Sequence, residues 1–212
     1  MVDRSFGSGR LQLKEMAVAR IKHAILTGEF QPGERLNDAK LQTWLGISRT
    51  PLREALGELT RVGLIETEPQ RYTRVATPNS THIDDHIQVL GTLLGGIVRI
   101  TVPSLDDAGR DEAVARVEDV LSASIARDIS ALYEAGTALT RLLVERCPNP
   151  VIANFARDII DATTFLLKIS NVADQINWDR AIDLHKRLQS CVAERDAIGA
   201  ELAIEELYRL PV

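Results

Sequence analysis

Three arginines and two hydroxyls crowd the first third of the chain: Arg35, Ser48, Arg49, Thr50 and Arg53. Arg53 follows Arg49 by four residues, so on a helix the two guanidinium groups share one face. A planar guanidinium can hold the O6 and N7 of guanine through two parallel hydrogen bonds. Hydroxyls such as Ser48 and Thr50 suit phosphate oxygens or a base edge. Arg35, in the turn ahead, suits a phosphate, and Arg71 and Arg74 follow within reach of a backbone or minor groove. This is the chemistry of a nucleic-acid surface. The same pattern also fits a surface helix with two solvated arginines.

Such residues need a rigid scaffold. Apolar residues at Leu13, Ala17, Ile21, Ala24 and Ile25 predict a helix from 13 to 27 with one buried face, after a loose leader over 1–10. Gly28 ends it, and Pro32-Gly33 marks a turn. Asn37 is an N-cap for a short helix, Asp38 to Leu45, which Gly46 breaks. Ser48 then caps a second helix to about Arg61, with Pro51 in the first turn. Leu52, Ala55, Leu56 and Leu59 form its inner face, leaving Ser48, Arg49 and Arg53 outside near its N-terminus. A recognition helix enters a major groove by that end. Residues 64–67 and 72–76 read as two short strands around a turn from Glu68 to Arg71, and Pro78-Asn79-Ser80 as a linker.

The chain has 212 residues, 45% hydrophobic and 26% charged, ordinary for a globular protein. No apolar run of about 18 uncharged residues is present, so a membrane-spanning helix is not expected. MVDRSFGSGR lacks the apolar core of a secretory signal, and Cys147 and Cys191 form no CxxC, so the expected compartment is the cytoplasm. Charge is uneven: residues 1–78 carry a net +3 and residues 79–212 a net −8. Two domains with different partners are implied, a mildly basic one over 11–77 and an acidic one over 81–210. The second shows no convincing strand. It reads as six helices, about 81–101, 104–124, 128–146, 150–170, 178–194 and 197–209, the second opening on a Ser104/Asp107 capping pair. The fold class is therefore mostly α: an N-terminal winged helix-turn-helix with a small β-wing, and a C-terminal all-α antiparallel bundle. No nucleophile elbow, phosphate loop or paired carboxylate with a base is present, so an enzyme is not expected. Isolated acids such as Asp161 and Asp183 read as solvated helix faces, and Trp178 as a core anchor.

Two stretches carry a resemblance. Gly28-Glu29-Phe30-Gln31-Pro32-Gly33-Glu34-Arg35-Leu36 is similar to the segment preceding the helix-turn-helix of GntR-family bacterial transcription regulators. So is Leu45-Gly46-Ile47-Ser48-Arg49-Thr50-Pro51-Leu52-Arg53-Glu54-Ala55-Leu56, followed by Leu59 and Gly63-Leu64-Ile65. The resemblance covers most of 13–76. It implies operator binding by a homodimer, with Arg35, Arg49 and Arg53 at DNA. The family's wing often ends in a Gly-Arg-Gly-like tip, but Pro69-Gln70-Arg71-Tyr72 has no glycine, so the Arg71 side chain is expected to make the contact.

The helical half resembles the FCD branch of that family, in its smaller VanR-like subgroup. Asn149-Pro150-Val151, Leu184-His185 and Arg195-Asp196 carry the similarity. It implies a small-molecule effector and, in many members, a metal held by one Asp and three His. Those positions fall here on Gly136, Thr140, His185 and Leu207, and one imidazole does not hold a divalent ion. Neither metal nor other cofactor is expected. His82 and His86, beside Asp85, have i,i+4 spacing but read as a helix start. Leu90 and Leu94 occupy positions where the branch carries an Arg and a Glu. Val89–Val98 is nearly all apolar and should be buried on most sides. Gly91, Gly95 and Gly96 imply either close helix packing, including a dimer contact, or room for an effector. If an effector site exists, Leu90, Leu94, Gly136, Thr140, His185 and Leu207 line it, and it is more apolar than a metal-carboxylate site. A bundle that only dimerises or binds a protein partner is the alternative. Cys147 and Cys191 read as inert thiols on apolar faces.

Overall fold

The computed structural model describes residues 5–68, 71–77, 83–170 and 175–210. The chain forms two compact units, Met1–Pro78 and Asn79–Val212.

In the first unit, α1 (Ser5–Leu26), α2 (Asp38–Leu45) and α3 (Arg49–Arg61) precede an antiparallel hairpin of β1 (Ile65–Glu68) and β2 (Tyr72–Val75). Register pairs Ile65 with Val75 and Glu66 with Arg74. The helix boundaries follow local chemistry. Asn37 accepts from the Lys40 N–H, and Gly46 ends α2 in the left-handed region at φ 69°, where a side chain would be strained. Ala17, Ile21, Ala24 and Ile25 are fully buried against the inner face of α3, where Leu52 and Ala55 are equally closed.

Two expectations need correction here. The residues from Ser5 to Arg10 are helical rather than loose. Arg10 pairs with Glu54, and Lys14 Nζ lies 2.5 Å from Glu58, so two turns of α1 are tied to α3 by charge. Leu13, expected on the buried face, is 42% exposed, because α1 meets α3 there through ion pairs instead of apolar contact. Both strands lie within one residue of their expected limits, while the wing tip at 69–70 lies outside the described residues.

The second unit is a helical bundle: α4 (Ile83–Thr101), a 3-10 turn (Val102–Ser104), α5 (Asp107–Ala126), α6 (Ile129–Glu145), α7 (Pro150–Ile169), α8 (Trp178–Ala193) and α9 (Ala197–Leu207). Asp106, Asp128, Asn149, Asn177 and Asp196 each cap the following helix with a side-chain oxygen. The expected Ser104/Asp107 pair does not form. Ser104 ends the 3-10 turn and donates to Thr101 C=O, and Asp106 takes the cap by accepting from Gly109 N–H. The linker at 78–80 and His82 lie outside the described residues.

α4 packs against α6, α7 and α9. A Cβ on Gly91 would meet Tyr208, and one on Gly95 would lie 3.2 Å from Glu205 Cγ, so these glycines let α9 of the same chain approach closely. Leu90, Leu94, Ile97 and Val98 are buried, but Val89 is 44% exposed and Thr92 is open. The apolar stretch is therefore buried on most sides, as expected, and open on the one that carries Val89 and Thr92. By length and composition, 84–104 could cross a membrane, and half of that stretch is buried in the bundle.

Candidate nucleic-acid interface and effector site

α3 places its two kinds of residue on opposite sides. Leu52, Ala55, Leu56 and Leu59 are buried, while Ser48, Arg49, Thr50 and Arg53 are exposed at its first turn and a half. Ser48 stands at the N-cap with extended backbone, but its hydroxyl makes no cap hydrogen bond. That corrects the expected capping and leaves the hydroxyl available to an external partner. The acids of α3 are occupied elsewhere, Glu54 by Arg10 and Glu58 by Lys14. Among the described residues, Arg35, Arg49 and Arg53 make no ion pair. The outer face of α3 is thus cationic and uncompensated near the helix N-terminus, where free N–H groups also favour anions.

Arg35 is exposed and forms an isolated β-bridge with Arg74, which adds a third short edge beside the hairpin. The two wing arginines differ. Arg71 is 72% exposed and pairs, among the described residues, with neighbouring Glu68 at 2.6 Å. Arg74 lies 2.7 Å from Glu66 and stacks over the Tyr72 ring at 4.5 Å. Its guanidinium is committed to the wing itself, so a phosphate would have to compete with Glu66. Sequence reasoning missed this clamp because cross-strand partners become visible only once register is known. It also missed Arg20, which lies 4.6 Å over the Trp44 ring beside Phe30.

In the bundle, Leu90 and Leu94 are deep in the core, and half-buried Leu207 packs against the same cluster. Gly136 and Thr140 are half-buried on α6, with nothing within 4 Å of a Cβ placed on Gly136. His185 is 8% exposed, and its Nδ1 lies 3.0 Å from Ser124 Oγ. Ser124 spends its one proton on Val120 C=O, so the imidazole donates from Nδ1 and keeps a lone pair on Nε2. Burial pushes His185 down to about 4. Two phenols went unnoticed in the sequence, Tyr133 and Tyr208. Burial pushes Tyr208 up to about 12, with the Tyr133 phenol adding to the effect.

Comparison with known proteins agrees with this architecture. Residues 13–75 match the bacterial regulatory proteins of the gntR family, and residues 85–210 match the FCD domain. The chain belongs to the GntR family, with an FCD domain. It is similar to the HTH-type transcriptional regulator YdhC of Bacillus subtilis, 21% identical over 86% of this chain and 81% of that one. Its similarity to the Nta operon transcriptional regulator of Aminobacter aminovorans is higher, 45%, but spans only 24% of this chain and 25% of the other. Among solved structures, Escherichia coli McbR/YncC shares the fold at TM-score 0.65 with 20% identity, over 93% of both chains. A GntR regulator from Rhodococcus superposes at 0.67 with 17% identity, over 92% of this chain and 93% of that one. This GntR chain is thus a transcriptional regulator with a DNA-binding head.

The metal of many FCD domains does not fit these residues. Gly136 and Leu207 offer no ligand atom, and Thr140 offers only a neutral hydroxyl. His185 Nδ1 is engaged by Ser124. Among the described residues no group of three or more His, Cys, Asp or Glu converges.

Proposed function

We propose that this GntR regulator represses transcription by binding a pseudo-palindromic operator as a homodimer, released or tightened by a small molecule in the helical domain. Arg49 and Arg53 read base edges from the first turns of α3. Ser48, Thr50, Arg35 and Arg71 hold phosphates, and Arg74 chiefly braces the wing. The observation that carries this reading is the cationic outer face of α3: Arg49 and Arg53 exposed and, among the described residues, without carboxylate partners, while Glu54 and Glu58 are tied to α1.

One such helix reads only a few base pairs, with each bidentate arginine worth about 1–3 kcal/mol of discrimination. Two copies spaced about one DNA turn apart, ~34 Å, supply the remainder. Exposed Val151 and Phe155, one turn apart on α7 at 78% and 59%, offer an apolar surface for self-association. An effector would act by binding one dimer geometry better than another.

Selection from random duplex DNA tests the reading, together with sedimentation of the free protein and of the complex. A two-fold motif bound by two chains is expected. A motif without symmetry, bound by one chain, would overturn the dimer, and no enrichment at all would overturn operator recognition.

A further inference from the structure

α3 carries a carboxylate at the edge of its outer face. Glu54 follows Arg53 directly and stands four residues after Thr50, one turn along the same side of the helix. The residues three and four positions from Glu54 are Thr50, Pro51, Gly57 and Glu58. None is a cation. Glu58 repeats the charge one turn on, and like charges at that spacing destabilise a helix. Neutralisation of Glu54 at helical spacing therefore has to come from another element.

α1 supplies it in register. Arg10 takes both oxygens of Glu54, Nε donating to one at 3.3 Å and Nη2 to the other. Lys14, one turn later, lies 2.5 Å from Glu58. Two cations four residues apart thus face two carboxylates four residues apart. Apolar burial does not account for this stretch of α1. Over residues 9–16 none is buried, and Leu11 and Leu13 are 52% and 42% exposed. The Arg10–Glu54 pair is itself open to water, and pairs of that kind add little to stability. Its consequence lies in the charge that α3 presents.

That charge acts on whatever α3 meets. A major groove is about 12 Å wide, and at about 0.1 M salt a charge is felt over ~10 Å. A bare carboxylate next to Arg53 on a helix seated there would face the phosphates of both strands. It would offset one of the cations whose contacts release counterions and drive binding. A carboxylate with both oxygens held by a guanidinium presents no such charge.

We propose that Arg10 is a positioning residue for DNA binding: it holds the Glu54 carboxylate against α1 and so keeps the outer face of α3 cationic. The inference rests on the reading of α3 as the recognition helix, and adds a determinant of affinity that lies outside the helix-turn-helix.

Anisotropy titration of the full chain against a labelled duplex of mixed sequence, at about 50 and about 200 mM salt, tests it. Arg10→Gln should weaken binding about fivefold at the lower salt and less at the higher, the mark of a screened repulsion. Arg10→Lys keeps the charge and should recover most of that loss. Adding Glu54→Gln to Arg10→Gln should restore native affinity, because no carboxylate is then left to neutralise. Circular dichroism confirms that each variant folds. A double variant as weak as Arg10→Gln would make Arg10 a phosphate contact and overturn the inference. Equal losses at both salts, or a loss in Arg10→Lys as large as in Arg10→Gln, would make its role structural and overturn it too. Native affinity in Arg10→Gln would do the same while leaving α3 as the recognition helix. Failure of the native protein to bind the duplex at either salt would overturn that reading, and the inference with it.

Discussion

Glu66 and Arg74 face each other across the wing as register partners, with Arg74 Nε donating to Glu66 Oε2 at 2.8 Å. The other oxygen of Glu66 accepts from the Thr77 N–H at 2.9 Å and from its hydroxyl at 3.1 Å. One carboxylate thus ties β1 to β2 and to the strand's exit. Burial pulls the Glu66 carboxyl upward, but Thr77 and Arg74 outweigh it, and the group titrates below its ordinary value of 4.5. Its contribution is therefore complete above that value and is lost as pH falls through the lowered one. Glu66→Ala should destabilise the head by about 1–2 kcal/mol. Arg74→Ala, which removes one partly exposed pair, should cost less than about 1 kcal/mol. Denaturation followed by Trp44 fluorescence in a Trp178→Phe background measures both. Equal losses would show that Thr77 adds nothing to the clamp.

The recognition arginines are separable by what they do to sequence preference. Arg49→Ala and Arg53→Ala should each cost about 1–3 kcal/mol on the selected operator and relax preference at one base pair. Arg35→Ala and Arg71→Ala should weaken all duplexes alike and reduce the slope of log affinity against log salt by about one. Arg74→Ala should change that slope little, because its charge is already balanced by Glu66. Anisotropy titrations at four salt concentrations distinguish these cases. A uniform loss for Arg49→Ala would reassign that residue to a phosphate.

Much of this was legible in the sequence, where local chemistry decides the outcome. Asn37, Gly46 and Asn149 marked helix ends because caps and left-handed turns depend on a single residue type. The buried and exposed sides of α3 followed from spacing alone. What failed depended on partners distant in sequence. Leu13 had the right spacing but meets ion-paired residues of α3, and Arg74 looked like a free cation until register set Glu66 opposite. Val89 belonged to an apolar run, yet no spacing rule says which side of a helix lacks a neighbour. In the effector region, attention to metal-ligand positions hid Tyr133 and Tyr208, since a phenol carries no spacing signature. Its place at the end of α9 against Gly91 emerges only from packing.

His185 should make the bundle acid-sensitive. Burial holds its folded value at about 4 against an ordinary 6.5, so between those values the unfolded chain binds more protons. The contribution is intact above pH 6.5 and falls away towards pH 4, amounting to up to about 3 kcal/mol. His185→Gln does not titrate, and Ser124 keeps its bond to Val120 C=O in that variant. Its denaturation midpoint should fall less steeply than the native protein's across that window. Parallel curves would mean that His185 protonates without cost and that the acid sensitivity resides in other groups.

Gly91 and Gly136 should respond to the same substitution with opposite signs. A Cβ on Gly91 would lie 2.5 Å from Tyr208 Cβ and 3.1 Å from Leu210 Cδ1. Tyr208 Cβ is fixed to its backbone and cannot swing aside, so α9 as a whole must move. Overpacking of this kind costs about 1–3 kcal/mol, more than the gain of about 1 kcal/mol that alanine brings to a helix interior. Gly136 has nothing within 4 Å of its Cβ position, so only the propensity gain applies. Gly91→Ala should therefore lower Tm, and Gly136→Ala should raise it by a few degrees. A rise for both would mean that α9 is not held tightly against α4 in solution.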